Sequence, residues 1–160
     1  MATWPTVTND DGTGTTGTIL DQTLFNSVRD YIGDAWTAVA FSAGNFTGSG
    51  TITWTVASGD QQTYAYTVKG KSVTLSWFIN TSTVSGTGVE LRIAIPAGMT
   101  STRSVRSTYY YSDNGAEGIG LAWQIAGEGF VRLFKSNTAS NWSAATDTTI
   151  VAGQITFEIS

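Results

Sequence analysis

The residues best suited to chemistry in this 160-residue sequence fall in one run, residues 103–115, which reads Arg-Ser-Val-Arg-Ser-Thr-Tyr-Tyr-Tyr-Ser-Asp-Asn-Gly. Its chemistry is that of binding. Tyrosine rings offer rigid, half-polar contact area at small entropic cost, while Ser, Asn and Gly offer adaptable hydrogen bonds. Arg106, Tyr109, Tyr110, Tyr111 and Asn114 are therefore candidate ligand contacts. Phe130, Trp142 and the loop at 137–141 are further candidates of the same sort. In an extended strand Tyr109 and Tyr111 face one way and Tyr110 the other, so at least one side of the strand is core or interface. Cross-strand aromatic packing is the competing explanation of the same residues.

Bond-making chemistry has little to work with. The chain has no His and no Cys, which removes the commonest general base, the His-dependent triads, thiolate nucleophiles, disulfides and the usual zinc ligands. Asp113, Glu117, Glu90, Glu128 and Glu158 are scattered, and no spacing joins two of them into the carboxylate pair of a glycosidase. Asn9, Asp10 and Asp11, and likewise Asp113, Asn114 and Glu117, lack the ligand spacing of a calcium loop and read as turns and surface charge. Gly12, Gly14 and Gly17 match GxGxxG in letters only. No strand precedes them and no βαβ unit follows, so a flexible arm is expected in place of a dinucleotide site. Asn45-Phe46-Thr47, Asn80-Thr81-Ser82 and Asn141-Trp142-Ser143 are chance matches to the glycosylation pattern in a chain this rich in Ser and Thr. The expectation is a non-enzymatic protein with no cofactor and no metal.

Eight basic and twelve acidic side chains leave a formal charge of −4, which argues against a general hold on nucleic acid. No apolar stretch is long enough for a membrane span, and the first residues carry no basic and apolar leader. Only 12% of residues are charged, whereas 18 are glycine and 12% aromatic; that balance is typical of an all-β surface protein.

Three textures organise the chain. Residues 1–20 are Thr, Gly and Asp with little apolar content, an extended arm. Residues 21–40 carry a helical period: Asp21 can cap the first turn, and Leu20 and Phe25 sit at staple positions. Phe25, Val28, Ile32, Ala35 and Val39 then follow the a/d rhythm of a seam between helices. Two heptads cannot hold a coiled coil alone, and the same spacing suits an amphipathic helix lying on its own domain's sheet.

Residues 41–160 alternate with period two, one face apolar and the other rich in hydroxyls. Ile52, Trp54 and Val56 begin the series. Tyr64, Tyr66 and Val68 follow, then Val73, Leu75, Trp77 and Ile79, and then Val89, Leu91, Ile93 and Ile95. Ile119, Leu121, Trp123 and Ile125 form another apolar set, followed by Phe130, Val131, Leu133 and Phe134, and finally Ile155, Phe157 and Ile159. Turn residues fall between them, as at Lys69-Gly70-Lys71 and Asp113-Asn114-Gly115. Counting strands near 105–111 and 148–151, eight or nine strands without alternating helices predict an antiparallel jelly-roll sandwich.

The opening residues Thr3-Trp4-Pro5-Thr6-Val7-Thr8-Asn9-Asp10-Asp11-Gly12-Thr13-Gly14-Thr15-Thr16-Gly17-Thr18, with the helix after them, resemble the N-terminal arms of bacteriophage appendage and minor virion proteins. Phe41-Ser42-Ala43-Gly44-Asn45-Phe46, Trp54-Thr55-Val56 and Asp60 resemble the trimeric jelly-roll heads of phage fibres, related to complement and tumour-necrosis-factor-like heads. The run from Thr83-Val84-Ser85-Gly86 to Ile93-Ala94-Ile95-Pro96 and the closing Gly153-Gln154-Ile155-Thr156-Phe157-Glu158-Ile159 share that resemblance. It implies a homotrimer in which residues 1–20 dock on a capsid, portal or tail protein and the helix gathers three chains. The heads at 41–160 would then bind a host surface glycan or protein. It also implies a virion component made in the host cytoplasm and released by lysis, with no nucleic-acid partner and no membrane insertion. A fibre carries a long shaft and this chain has almost none, which raises a capsid decoration or cement role; a carbohydrate-binding module lies outside that class.

Overall fold

The computed structural model describes residues 36–160 apart from 97 and 139. The arm at 1–20 and the expected seam residues Phe25, Val28, Ile32 and Ala35 lie outside the described residues. The described part is all-β and antiparallel, with ten strands in one sheet. They are β1 (Thr37–Ala38), β2 (Phe46–Gly48), β3 (Thr53–Thr55), β4 (Gln61–Lys69), β5 (Ser72–Ser85), β6 (Leu91–Ala94), β7 (Val105–Asp113), β8 (Ala116–Gln124), β9 (Phe130–Phe134) and β10 (Ala145–Glu158). A single 3₁₀ turn, Ala43–Asn45, leads into β2.

Hydrogen-bonded neighbours run β1-β4-β5-β10-β7-β8-β9-β6-β2, and β3 pairs with β5 off that path. Strands β7, β8 and β9 follow one another side by side, and β10 returns to lie against β7; this is a Greek key. Strand β6 beside β9 completes a second, overlapping one. The sheet must curl, because β2 ends the path on β6 while β3 lies on β5. Only residues 49–52 join those two strands, too short a link to cross a flat sheet. Strands β5 and β10, 14 residues each, accommodate the curl. Their pairing shifts register between Ala145 and Val151, and such bulges bend a strand and increase its twist.

The concave side holds the core. Val73, Leu75, Trp77 and Ile79 of β5 are all at most 1% exposed, as expected from their alternation. They meet Val151 and Ile155 of β10, Leu91 and Ile93 of β6 and Val131 and Leu133 of β9 in one cluster. Each such side chain stabilises the fold by roughly 1.5–3 kcal/mol through removal from water. Two buried polar groups of the core are tied down, although Trp77 Nε1 and Thr149 Oγ1 have no hydrogen-bond partner among the described residues. Trp54 Nε1 donates to Ser82 Oγ at 2.9 Å, and Ser82 Oγ donates to the Thr149 carbonyl at 2.9 Å. The Tyr64 hydroxyl donates to the Ala94 carbonyl, and burial raises its pKa.

Three sequence expectations change. The helix expected over 21–40 does not extend to its last residues: Thr37–Ala38 is an edge strand on β4. Val39, expected on the helical seam, instead donates its N–H to the Tyr64 carbonyl at 2.8 Å and accepts from Gln61 Nε2 at 2.9 Å. The open edge of β4 presents backbone groups that need partners, and the β-branched Thr37 and Val39 suit extended chain. The two last expected strands, near 148–151 and 155–159, are one strand, β10. The short strand β2 was not anticipated by alternation, since Phe46–Gly48 holds one apolar side chain.

Candidate functional site

Tyr109 faces the concave side at 3% exposure. Its ring lies 6.3 Å from Trp77 and 6.4 Å from Tyr111, and Tyr111 meets Trp142 edge-on at 5.7 Å. The register explains why these rings fit. Tyr109 pairs with Gly120 on one side and Gly153 on the other. A Cβ at Gly120 would lie 2.5 Å from the Tyr109 ring, and one at Gly153 would lie 2.5 Å from Tyr109 Cβ. Glycine opposite tyrosine leaves the ring room to lie across the neighbouring strand. The Tyr109 hydroxyl donates to the Phe134 carbonyl at 3.1 Å. Burial, then the nearby Tyr111 and Asp113, push its pKa well up.

The rest of this cluster fastens the connection between β9 and β10. Asp113, 3% exposed, pairs with Lys135 Nζ at 2.5 Å. It also accepts from the Ser143 N–H at 3.1 Å and the Ser143 hydroxyl at 3.0 Å. Lys135 Nζ lies 5.8 Å from the Trp142 ring, and Trp142 is buried. Asn114 and Gly115 have φ of 53° and 82°, the two positive values of a type I′ hairpin turn. Of the candidate ligand contacts, Tyr109, Tyr111 and Trp142 thus pack the interior, and Asn114 shapes a turn.

The convex side is where the sequence misleads. On β8 the apolar set Ile119, Leu121 and Trp123 faces outward, whereas Gly120, Ala122 and Gln124 are the buried residues. The expected inward face of this strand is therefore inverted. The physical reason is volume: Tyr109 and Tyr111 already fill the concave side above β8, and only small residues fit beneath them. A Cβ at Gly118 would lie 2.6 Å from the Tyr111 hydroxyl oxygen.

Ile119 is 68% exposed and Phe78 39%. Pairing aligns Phe78, Ala152, Tyr110 and Ile119 in one row across β5, β10, β7 and β8. Partial loss of hydration, then the Glu117 carboxylate, raises the Tyr110 pKa. Further along the same face the exposed Arg106 lays its guanidinium over the Trp123 ring, 4.2 Å from its centroid. Trp123 and Phe134 rings stand 6.5 Å apart at 45°. Arg106, Leu121, Trp123, Phe134, Ser136 and Asn137 line a cavity of about 100 Å³. The structure thus places Arg106 and Tyr110 of the candidate contacts on the convex face, with Arg106 at the cavity beside Asn137 of the candidate loop at 137–141. Sequence reasoning assigned Trp123 to the core and Phe134 to a core strand; the glycines of β8, facing tyrosines, were the overlooked signal.

A charged corner lies where β6 meets β9. Glu90, 4% exposed, pairs with Arg92 and lies 3.3 Å from Arg132, which also pairs with Glu128. Both guanidiniums approach the Phe130 ring, at 4.6 and 5.5 Å. Arg132 holds the Glu128 carboxyl below the usual carboxylate range, and Glu128 raises the Arg132 pKa. Two carboxylates meet here, but across a guanidinium that fixes both as acceptors. Among the described residues no group of acidic side chains has the arrangement of a metal site. Comparisons with protein-family models, with curated proteins and with solved structures return no match.

Proposed function

We propose that this chain is a non-enzymatic bacteriophage virion protein, a homotrimer whose jelly-roll heads attach to the host cell surface. The observation that carries the proposal is the convex row Phe78, Ala152, Tyr110 and Ile119, in which Ile119 of the inverted strand β8 is 68% exposed and Phe78 39%. Large apolar residues in register on a convex sheet face mark a surface made to be covered. A second copy is the occupant that the repeated use of one chain supplies directly. The resemblance of residues 41–160 to phage heads sets the number of copies at three. Overlapping Greek keys support the jelly-roll assignment. The arm at 1–20 docks on the particle.

Native mass spectrometry of the full chain at micromolar concentration tests the assembly. The expected species is a trimer, and Ile119→Lys, placing a charge in the covered face, yields monomer with an unchanged circular dichroism spectrum. A wild-type chain that stays monomeric overturns the proposal. Imaging of the particle separates attachment from capsid cement: few copies at a vertex or tail support attachment, and copies over the whole head overturn it.

A further inference from the structure

We propose that the cavity bounded by Arg106, Trp123, Phe134 and Asn137 is a subsite for a carboxylate-bearing saccharide, a uronic or sialic acid residue of a cell-surface polysaccharide. The inference rests on the surface-binding function above and names the ligand class of its head.

Arg106 is set apart by its company. Among the described residues Arg92, Arg103 and Arg132 each pair with a glutamate. Arg106 has no carboxylate partner among the described residues; its contact is the indole of Trp123. A guanidinium held over an aromatic ring has N–H donors free at its edge to grip a carboxylate in two-pronged fashion. The neighbouring walls are Leu121, Trp123 and Phe134. Such walls suit the C–H faces of a sugar ring, while a few polar groups fix its orientation.

Those polar groups come from the loop after β9. Ser136 Oγ is already engaged with Thr138 and Ser140, at 3.0 and 2.9 Å, which shapes the loop. The exposed Asn137 amide makes no hydrogen bond with another described residue and stands at the cavity rim. A cavity of about 100 Å³ is small beside the roughly 300–1,000 Å³ that enclose a drug-sized ligand. It takes the acidic end of one sugar unit, and the rest of the polymer lies outside. The corner at Arg92 and Arg132 is richer in cations, yet Glu90 and Glu128 have already neutralised it. The chain's net charge of −4 gives an acidic polymer no long-range attraction, so recognition falls to this one local contact.

Calorimetric titration of the full chain with oligogalacturonate, oligoalginate and oligosialic acid tests the site, with maltohexaose as neutral control and hexaglutamate as acidic peptide control. At least one acidic saccharide is expected to bind ~10-fold or more tightly than either control, and Arg106→Gln to weaken it ~10-fold, the effect of losing a charge-assisted pair. Arg106→Lys retains the charge and recovers only part of the loss; full recovery contradicts the two-pronged grip. Binding of maltohexaose or hexaglutamate as tight as that of the acidic sugars overturns the proposal. So does unchanged binding by Arg106→Gln, or no binding of all three acidic sugars at millimolar concentration. Native mass spectra of the same samples keep the two ideas apart. A monomer that binds acidic sugar removes the trimer and leaves the subsite, whereas a trimer that ignores all three sugars does the reverse.

Discussion

Strands β5 and β8 carry the same period-two alternation with opposite polarity. In β5, Val73, Leu75, Trp77 and Ile79 enter the core while Thr74 and Ser76 face out; Thr74 even shares a 2.8 Å hydrogen bond with Thr156 on that outer face. In β8 the large residues Ile119, Leu121 and Trp123 face out, and Gly120, Ala122 and Gln124 face in. Alternation says that a strand has two faces; it does not say which one is the inside. What decides is the volume already present on the concave side. Above β5 there is room for a tryptophan, and above β8 two tyrosines have taken the room.

Exchanging equivalent residues on the two strands sharpens this contrast. Trp77→Ala removes a ring that is 1% exposed and is expected to cost about 3–5 kcal/mol, read from urea denaturation of the folded chain. Trp123→Ala, on the half-exposed face, is expected to cost less than about 1 kcal/mol at concentrations where the chain is monomeric. Equal losses at the two sites would break the distinction between the faces.

A smaller effect tests why β8 is inverted. Gly120→Val places carbon atoms where the Tyr109 ring and the Phe134 carbonyl already lie, 2.5 Å from an added Cβ. Overpacking of this kind is expected to destabilise by about 1–3 kcal/mol. Tyr109→Phe would keep the ring and so the clash, whereas Tyr109→Ala combined with Gly120→Val should cost less than the sum of the two changes. Additive losses in that double-mutant cycle would detach the glycine from the tyrosine.

The smallest effect is electrostatic. Glu128 has its carboxyl pKa lowered from an ordinary 4.5, chiefly by its hydrogen bond to Arg132. The native state therefore holds this proton less tightly than the unfolded chain. Its contribution is complete above pH 4.5 and is lost as pH falls through the lowered native value. Because the pair is near the surface, Glu128→Gln is expected to flatten the acid limb of the stability profile only slightly. Thermal melts between pH 3 and pH 7 would measure it, and an acid limb as steep as in the wild-type chain excludes this pair as its source.

Local chemistry made several features legible. Asp113-Asn114-Gly115 announced a hairpin because asparagine and glycine tolerate the positive φ that the turn needs. The β5 core followed from its residues, and Arg106 stood out as a cation beside aromatics. Trp123, Phe134, Ser136 and Asn137 were not legible as its companions. Trp123 looks like core on spacing alone, and the other three join Arg106 only through the β7–β8–β9 pairing. Thr37 and Val39 were claimed by a helical rhythm that local spacing favours and an open strand edge overrules.

The order of residues, without any fold, determined that residues 41–160 would form antiparallel strands with one apolar side each, and where several of them turn. Those properties depend on neighbours in the chain: side-chain alternation, β-branching and backbone freedom at turns. Which side of β8 is buried, and which side chains gather around Arg106, was decided by tertiary structure alone. Both depend on which strands lie adjacent and how much space the rings across from them leave, and that is a property of the assembled sheet.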